Sequence, residues 1–224
     1  MRFQDAAPDA RAVVYAGIQA DPLVGRAAEL LALATYDERL LARAVMNGET
    51  TDANAWRVMF PSLFATGQTN ERAEAILAAS LAVAERGEQV RSQYRGAIVE
   101  AVTELLLRRG HPNAPPTAIR RERRILFDGV RAEIHPYDVT VEIEGRAAAV
   151  DCKWGARGIS ADVLHQLDDA RTHAADDDER LRAVLVIFDS LRSCTARLDR
   201  QTAPLAGTQI VGLETLDQLA GVAS

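Results

Sequence analysis

The chain has 224 residues, of which 48% are hydrophobic and only 5% aromatic, so Ala, Leu and Val must fill the core of one large domain or two small ones. The formal net charge of -6 argues against bulk attraction to nucleic acid, so any such contact has to come from a local basic patch. Two cysteines, no secretory segment after Met1 and no apolar run near about 18 residues predict a cytoplasmic protein without a disulfide scaffold or a membrane span.

Residues 1–87 are predicted to be a helical region. Asp21, which precedes a proline, is a typical helix N-cap, and Asn70 is another. Thr35 and Glu38 have the spacing of a capping box. This region carries no recognisable chemistry, and its sequence does not choose among a protein partner, DNA contact, homodimerisation and support.

A long helix is predicted from about Glu88 to Arg109. Glu100 lies at the flank of its apolar stripe, and Gly96 lies one turn earlier on the same side. The glycine leaves room beside Glu100 for a bulky group such as a phosphate. Because Glu104 continues the same polar face, a solvated helix edge is the alternative.

A strand with many arginines is predicted over residues 119–127, followed by a turn at Asp128-Gly129. Such a basic run either binds a phosphate backbone or is a solvated strand edge. The candidate nucleic-acid contacts in it are Arg120, Arg121, Arg123 and Arg124.

A β-hairpin with its turn at Glu144-Gly145 is the most informative stretch. Apolar and polar residues alternate over 139–144, which is typical of a half-buried strand, and residues 147–152 are nearly all apolar, as in a strand covered on both faces.

Charged residues lie at the open end of this hairpin. Asp151 and Lys153 are two apart and share one face, whereas Cys152 points to the other. Asp138 begins the partner strand and falls near them. Two carboxylates and an ammonium at the end of a buried strand are costly to desolvate. Their presence makes sense if they hold a metal ion and an activated water.

A helix after Ser160 carries Gln166, and residues 183–188 have the pattern of a buried strand. A further helix, strand and closing helix are predicted near residues 191–198, 208–213 and 214–219. From residue 88 onward the order predicts an α/β fold with a mixed central sheet flanked by helices on both faces.

The stretch from about Tyr94 to Phe188 resembles the PD-(D/E)xK nuclease superfamily, most closely its RecB-type and Holliday-junction-resolvase-like branch. The matching residues are Glu100 on a helix, Asp138 at a strand start, Asp151-Cys152-Lys153 on the next strand, and Gln166 on the following helix. Tyr137 stands where the family's proline would be, with Pro136 one place earlier. The resemblance implies a restriction-endonuclease-like core at residues 88–224, after the helical region at 1–87.

The resemblance also implies a metal-dependent DNA endonuclease that uses Mg²⁺ or Mn²⁺. Its metal ligands would be Asp138, Asp151, the main-chain carbonyl of Cys152 and Glu100. Lys153 would orient the water, Gln166 would assist, and Trp154 would stack on a base. An effector in defence, restriction or DNA repair is the expected role.

Two other functions remain open at this point. One is a nuclease subunit that works only in a multi-protein complex, which the net acidity favours. The other is a non-catalytic nuclease-like module that binds DNA or protein. A thiol nucleophile at Cys152 is disfavoured because its side chain is expected to face away, and the histidines lack zinc-ligand spacing.

Overall fold

The computed structural model describes residues 1–6, 10–65, 70–127, 130–131, 135–176, 179–201 and 207–222. The chain divides into a helical unit of residues 9–102 and a sheet unit that combines residues 1–8 with residues 103–224. The expected boundary at residue 87 marks the start of a helix, whereas the division falls inside that helix. An apolar stripe shows which side of a helix is buried but not which core receives it.

The helical unit contains five helices and the first part of a sixth among its described residues. They are α1 (Ala10–Gln19), α2 (Pro22–Ala32), α3 (Tyr36–Asn47), α4 (Ala53–Met59), α5 (Glu71–Ala84) and α6 (Glu88–Gly110), which continues into the sheet unit. The predicted caps are confirmed: Asp21 and Asn70 accept main-chain N–H bonds at the starts of α2 and α5, and Thr35 and Glu38 form the capping box of α3.

The sheet unit is an α/β structure with a mixed sheet, as predicted. Its strands are β1 (Arg2–Asp5), β2 (Ile119–Phe127), β3 (Val130–Arg131), β4 (Tyr137–Ile143), β5 (Arg146–Lys153), β6 (Leu181–Ile187) and β7 (Thr208–Val211). They are ordered β1-β2-β4-β5-β6-β7, and β3 pairs with β2. The pairs are antiparallel as far as β5, whereas β5-β6 and β6-β7 are parallel.

Strand β1 lies in a region that was expected to be helical throughout. It pairs with β2 from Arg2 opposite Leu126 to Asp5 opposite Arg123. A strand of four residues is too short to show an alternation of apolar and polar side chains, so the sequence gives no sign of it. Its partner strand lies more than a hundred residues further along the chain. The turn predicted at Asp128-Gly129 lies outside the described residues.

The β4-β5 hairpin has the predicted turn. Glu144 and Gly145 both have positive φ, 49° and 76°, which suits a tight two-residue connection that follows the strand twist. Ile143 pairs with Arg146 across this turn, and Val139 pairs with Val150 further along. The short turn therefore fixes which residues face one another.

Helices cover both faces of the sheet, as predicted. The helix α7 (Ala161–Asp176) buries Leu164 and Leu167 in a core with Ala147, Ala149 and other residues of one face. The other face meets residues 103–110 of α6, where Thr103 accepts a hydrogen bond from Cys152. The helix α8 (Leu191–Leu198) and 3₁₀ segments at Pro116–Ala118, Ala156–Gly158 and Leu213–Gly221 complete the unit. The last is the closing helix predicted near residues 214–219, and it has 3₁₀ geometry.

Candidate functional site

The carboxylates of Asp138 and Asp151 face one another at the open end of the β4-β5 hairpin. Val139 pairs with Val150, so the next pair of positions is Asp138 and Asp151, and opposite residues of antiparallel strands share a face. Lys153 Nζ lies 2.5 Å from Asp151 Oδ1 and 4.0 Å from Asp138 Oδ2. The structure thus brings together the three residues that the sequence places at one site.

The Lys153 side chain is only 27% exposed, yet its pKa lies above the ordinary value. Burial alone lowers the pKa, but the negative charges of Asp151 and Asp138 and the hydrogen bond to Asp151 together outweigh burial. Lys153 is therefore a charged ammonium at neutral pH, which suits it to bind anions rather than to accept a proton.

The main chain of Cys152 orients Asp138. The Cys152 N–H donates to Asp138 Oδ2 at 2.6 Å. The Cys152 side chain points to the opposite face, where its Sγ lies 3.5 Å from the Thr103 hydroxyl. This confirms the alternation expected along β5 and places the thiol away from the carboxylates.

Glu122 is a site residue that the sequence analysis missed. Its neighbours Arg121 and Arg123 pair with Val139 and Tyr137, so Glu122 lies opposite Asp138, and their carboxylate oxygens are within 4.8 Å of each other. Burial raises the Glu122 pKa more than the charge of Arg121 lowers it. The available signal was one acidic residue inside a run of arginines.

The backbone at Glu122 has φ 54°, a left-handed conformation in the middle of a strand. A non-glycine residue pays a conformational cost of roughly 1 kcal/mol or more for this conformation. Such positions cluster at functional sites, and this one lies beside Asp138.

The loop after Lys153 is tied to the end of β6. Phe188 N–H donates to the Lys153 carbonyl at 2.8 Å, and Asp189 accepts a bond from the Ala156 N–H at 3.1 Å. At Gly158 an added Cβ would lie 2.9–3.0 Å from the Lys153 side chain, so this glycine leaves the space that the lysine occupies.

Trp154 stacks on the buried ring of Phe188, with centroids 5.0 Å apart and planes at 19°. One face of the indole is therefore used within the protein. Base stacking by Trp154 stays a prediction.

Gln166 lies on α7, and its side-chain amide donates to the main-chain carbonyl of His135 at 3.1 Å. The main-chain carbonyl of Gln166 accepts a hydrogen bond from the Tyr137 hydroxyl, also at 3.1 Å. These contacts hold the start of β4. A role of Gln166 in positioning a nucleophile stays a prediction.

Glu100 belongs to the helical unit, where it is 5% exposed. Its carboxylate accepts bonds from the Tyr15 hydroxyl at 2.5 Å and the Gln19 amide at 2.7 Å. The space left by Gly96 accommodates the Tyr15 hydroxyl, 3.0 Å from where a Cβ would lie. The role of Glu100 as a metal ligand stays a prediction.

Carboxylates of the sheet unit neutralise much of the predicted basic patch. Arg120 pairs with Asp5 at 2.8 Å and Arg121 with Glu104 at 2.6 Å. Arg123 is buried, lies 3.6 Å from carboxylates of both Asp5 and Glu142, and has a pKa lowered by its burial. Arg124 is half-buried. DNA binding by these arginines stays a prediction.

No protein-family profile and no curated protein matches the chain. Among solved structures the chain is similar to protein VC1899 from Vibrio cholerae, with a TM-score of 0.49 and 16% sequence identity over 98% of this chain. The chain spans 57% of the length of that protein. Within the described residues, no helix has the length and apolar character needed to cross a membrane.

Proposed function

We propose that the sheet unit is a metal-dependent DNA endonuclease of the restriction-endonuclease-like type. The observation that supports it best is the placement of Asp138, Asp151 and Lys153 together at the end of a buried strand pair. Two carboxylates and an ammonium are costly to desolvate at the edge of a core, so their assembly favours a chemical role over a scaffold role.

The donor set fits a hard divalent cation. Asp138 and Asp151 offer carboxylate oxygens on one face of the sheet, and Glu122 offers another beside Asp138. Asp138, Asp151 and the Cys152 carbonyl would hold Mg²⁺ or Mn²⁺. When bound, such an ion lowers the pKa of a water and polarises a phosphate.

The protein's own groups have distinct tasks. The Lys153 ammonium binds a phosphoryl oxygen and offsets the negative charge that develops on it. Asp151 holds that ammonium in place, and the Cys152 N–H keeps Asp138 in one orientation. Because the pKa of Glu122 is raised, its carboxylate is suited to take up a proton beside Asp138.

The test is cleavage of plasmid and single-stranded DNA with Mg²⁺ or Mn²⁺, beside EDTA and Lys153→Ala controls. Metal-dependent cutting that falls at least about 100-fold in Lys153→Ala is expected. Arg157→Ala is a matched control because Arg157 is an exposed cation in the following loop. Cutting that persists in Lys153→Ala would refute the assignment of the site.

A nuclease that needs a partner chain to bind DNA is the second candidate. The ion pairs of Arg120, Arg121 and Arg123 with carboxylates favour it, because they leave little positive charge for a phosphate backbone. The helical unit, residues 9–102, is then the proposed surface for a protein partner or a second copy. Metal-dependent cutting by the purified chain alone would exclude this candidate.

A further inference from the structure

A cleft lined by arginines lies at the other end of strand β5 from Lys153. It has a volume of about 440 Å³ and is formed at the starts of β5, β6 and β7 with one side of α7. Its charged lining residues are Arg146, Arg171, Arg180, Arg182 and Glu179. Lys153 lies seven positions after Arg146 along the strand, or about 23 Å, so the cleft is separate from the candidate nuclease site.

The strand register places two of these arginines side by side. Ala147 pairs with Leu181 in the parallel β5-β6 ladder, so Arg146 and Arg180 are adjacent at the starts of neighbouring strands. Main chains of neighbouring strands are about 4.8 Å apart. Both arginines are exposed, and neither forms an ion pair with a carboxylate in the described part of the chain. Two such cations repel one another until an anion lies between them.

A third arginine enters the cleft from α7. Arg171 donates to Asp168 through Nη2 at 2.7 Å, whereas its Nε is buried and has no acceptor among the described residues. Gly207 has φ 85°, and a Cβ there would lie 2.8 Å from Arg171 Cδ and Nε. The glycine thus lets the guanidinium lie against the main chain at the start of β7.

Among the described residues that line the cleft, positive charges outnumber negative ones. Arg182 donates a hydrogen bond to the main-chain carbonyl of Gly221 at 3.0 Å. Because that carbonyl is uncharged, the bond does not neutralise the charge of Arg182. The Glu179 carboxylate is paired with the amino group of Met1. Asp168 offsets Arg171. Arg146, Arg180 and Arg182 therefore give the cleft its positive potential.

We propose that this cleft binds a small anion with adjacent phosphoryl groups, such as pyrophosphate or a nucleoside polyphosphate. Guanidinium groups bind phosphate oxygens through paired N–H donors, and a ligand with two phosphoryl groups can reach Arg146 and Arg180 together. The volume suits a compact ligand. The proposal does not depend on the nuclease function.

The test is calorimetric titration and thermal unfolding of the full chain with pyrophosphate, ATP and a single-stranded DNA oligonucleotide. EDTA is present throughout, so that no metal at the other site binds phosphate, and NaCl holds the ionic strength constant. A hundredfold excess over Kd should raise Tm by about 5–10 °C. If pyrophosphate binds and raises Tm, the diphosphate is sufficient. If ATP does so and pyrophosphate does not, the ligand must include the nucleoside as well.

The variant Arg146→Ala with Arg180→Ala should weaken binding at least tenfold. The matched control removes two exposed arginines of the same unit, Arg192→Ala with Arg200→Ala, and should bind as the parent does. Because all four residues are exposed, both variants are expected to fold. No binding of pyrophosphate or ATP, or equal binding by both variants, overturns the proposal. DNA binding that alone depends on Arg146 and Arg180 would instead make the cleft a nucleic-acid contact.

Discussion

Each unit of the molecule buries acidic side chains, but in different company. In the helical unit, Glu38 is 1% exposed and accepts bonds from the Thr35 N–H and the Arg72 guanidinium. In the sheet unit, Asp138, Asp151 and Glu122 lie in a row across three strands, with Lys153 beside Asp151. Glu38 has its partners within the fold, whereas the clustered acids of the sheet unit are the ones that we propose to hold a cation.

Loss of Asp151 should separate activity from stability. Asp151→Asn is expected to reduce metal-dependent DNA cleavage at least about 100-fold, because the neutral amide neither binds the cation well nor holds Lys153. The free energy of unfolding should change by no more than about 1 kcal/mol, since Asn keeps a hydrogen-bonding side chain.

Single-turnover cleavage and urea unfolding measure the two quantities. Asp169→Asn, an exposed residue of α7, is the control. If Asp151→Asn destabilises the protein but the fraction that remains folded still cuts DNA, the role of the carboxylate is structural.

Loss of Glu38 should have the opposite effect. Glu38→Ala removes the capping box and leaves Arg72 without its partner, so the free energy of unfolding should fall by about 2 kcal/mol. Cleavage by the folded protein should be unchanged. Glu29→Ala, an exposed residue of α2, is the matched control.

The effect of Glu38 should depend on pH. Burial raises its pKa, but the bonds from Thr35 and Arg72 outweigh burial, so the pKa is lowered in the folded state. A lowered carboxyl pKa contributes stability that is complete above the unfolded value and is lost as pH falls through the folded value. The stability gap to Glu38→Gln should therefore be full at pH 7 and shrink in acid. A gap that stays constant from pH 7 to the acid range would contradict this assignment.

A change that leaves every charge in place should still disturb the site. Gly158→Ala puts a Cβ 2.9 Å from the Lys153 side chain and should displace the ammonium. A displacement below 1 Å is expected to lower the cleavage rate roughly tenfold. Gly87→Ala is the control, because a Cβ there meets nothing within 4 Å. Unchanged cleavage by a folded Gly158→Ala protein would show that the position of Lys153 does not matter.

Glu122 should give the smallest change in stability. Its raised pKa means that it stabilises the fold when protonated and loses that contribution as pH rises through the folded value. Without metal, Glu122→Gln should therefore be more stable than the parent at neutral pH, by less than about 1 kcal/mol, and the gap should close in acid.

Added Mg²⁺ sharpens the test of Glu122. If its carboxylate helps to hold the cation, Mg²⁺ should raise the Tm of the parent more than that of Glu122→Gln. Equal shifts of Tm in the two proteins would show that the Glu122 carboxylate does not help to hold the cation.

The sequence predicts the opposition of Asp138 and Asp151 because strand alternation and a two-residue turn together fix the register. It does not predict Glu122, because a left-handed residue inside a strand follows from tertiary packing rather than local propensity. Nor does it predict that Arg120 pairs with Asp5, since that partner lies 115 residues away in the chain. The distant partners of short strands and surface charges are set by the assembled sheet.

The ties around Lys153 set the order in which a growing chain can complete this region. The Lys153 carbonyl is held by Phe188, the Ala156 N–H by Asp189, and the Asp189 carbonyl accepts a bond from the Leu213 N–H. A ribosome makes these partners 35 to 60 residues after the lysine, as the numbering shows. An unfinished polypeptide therefore carries the lysine before it can fix it, and the last of these ties forms only after Leu213 has been made.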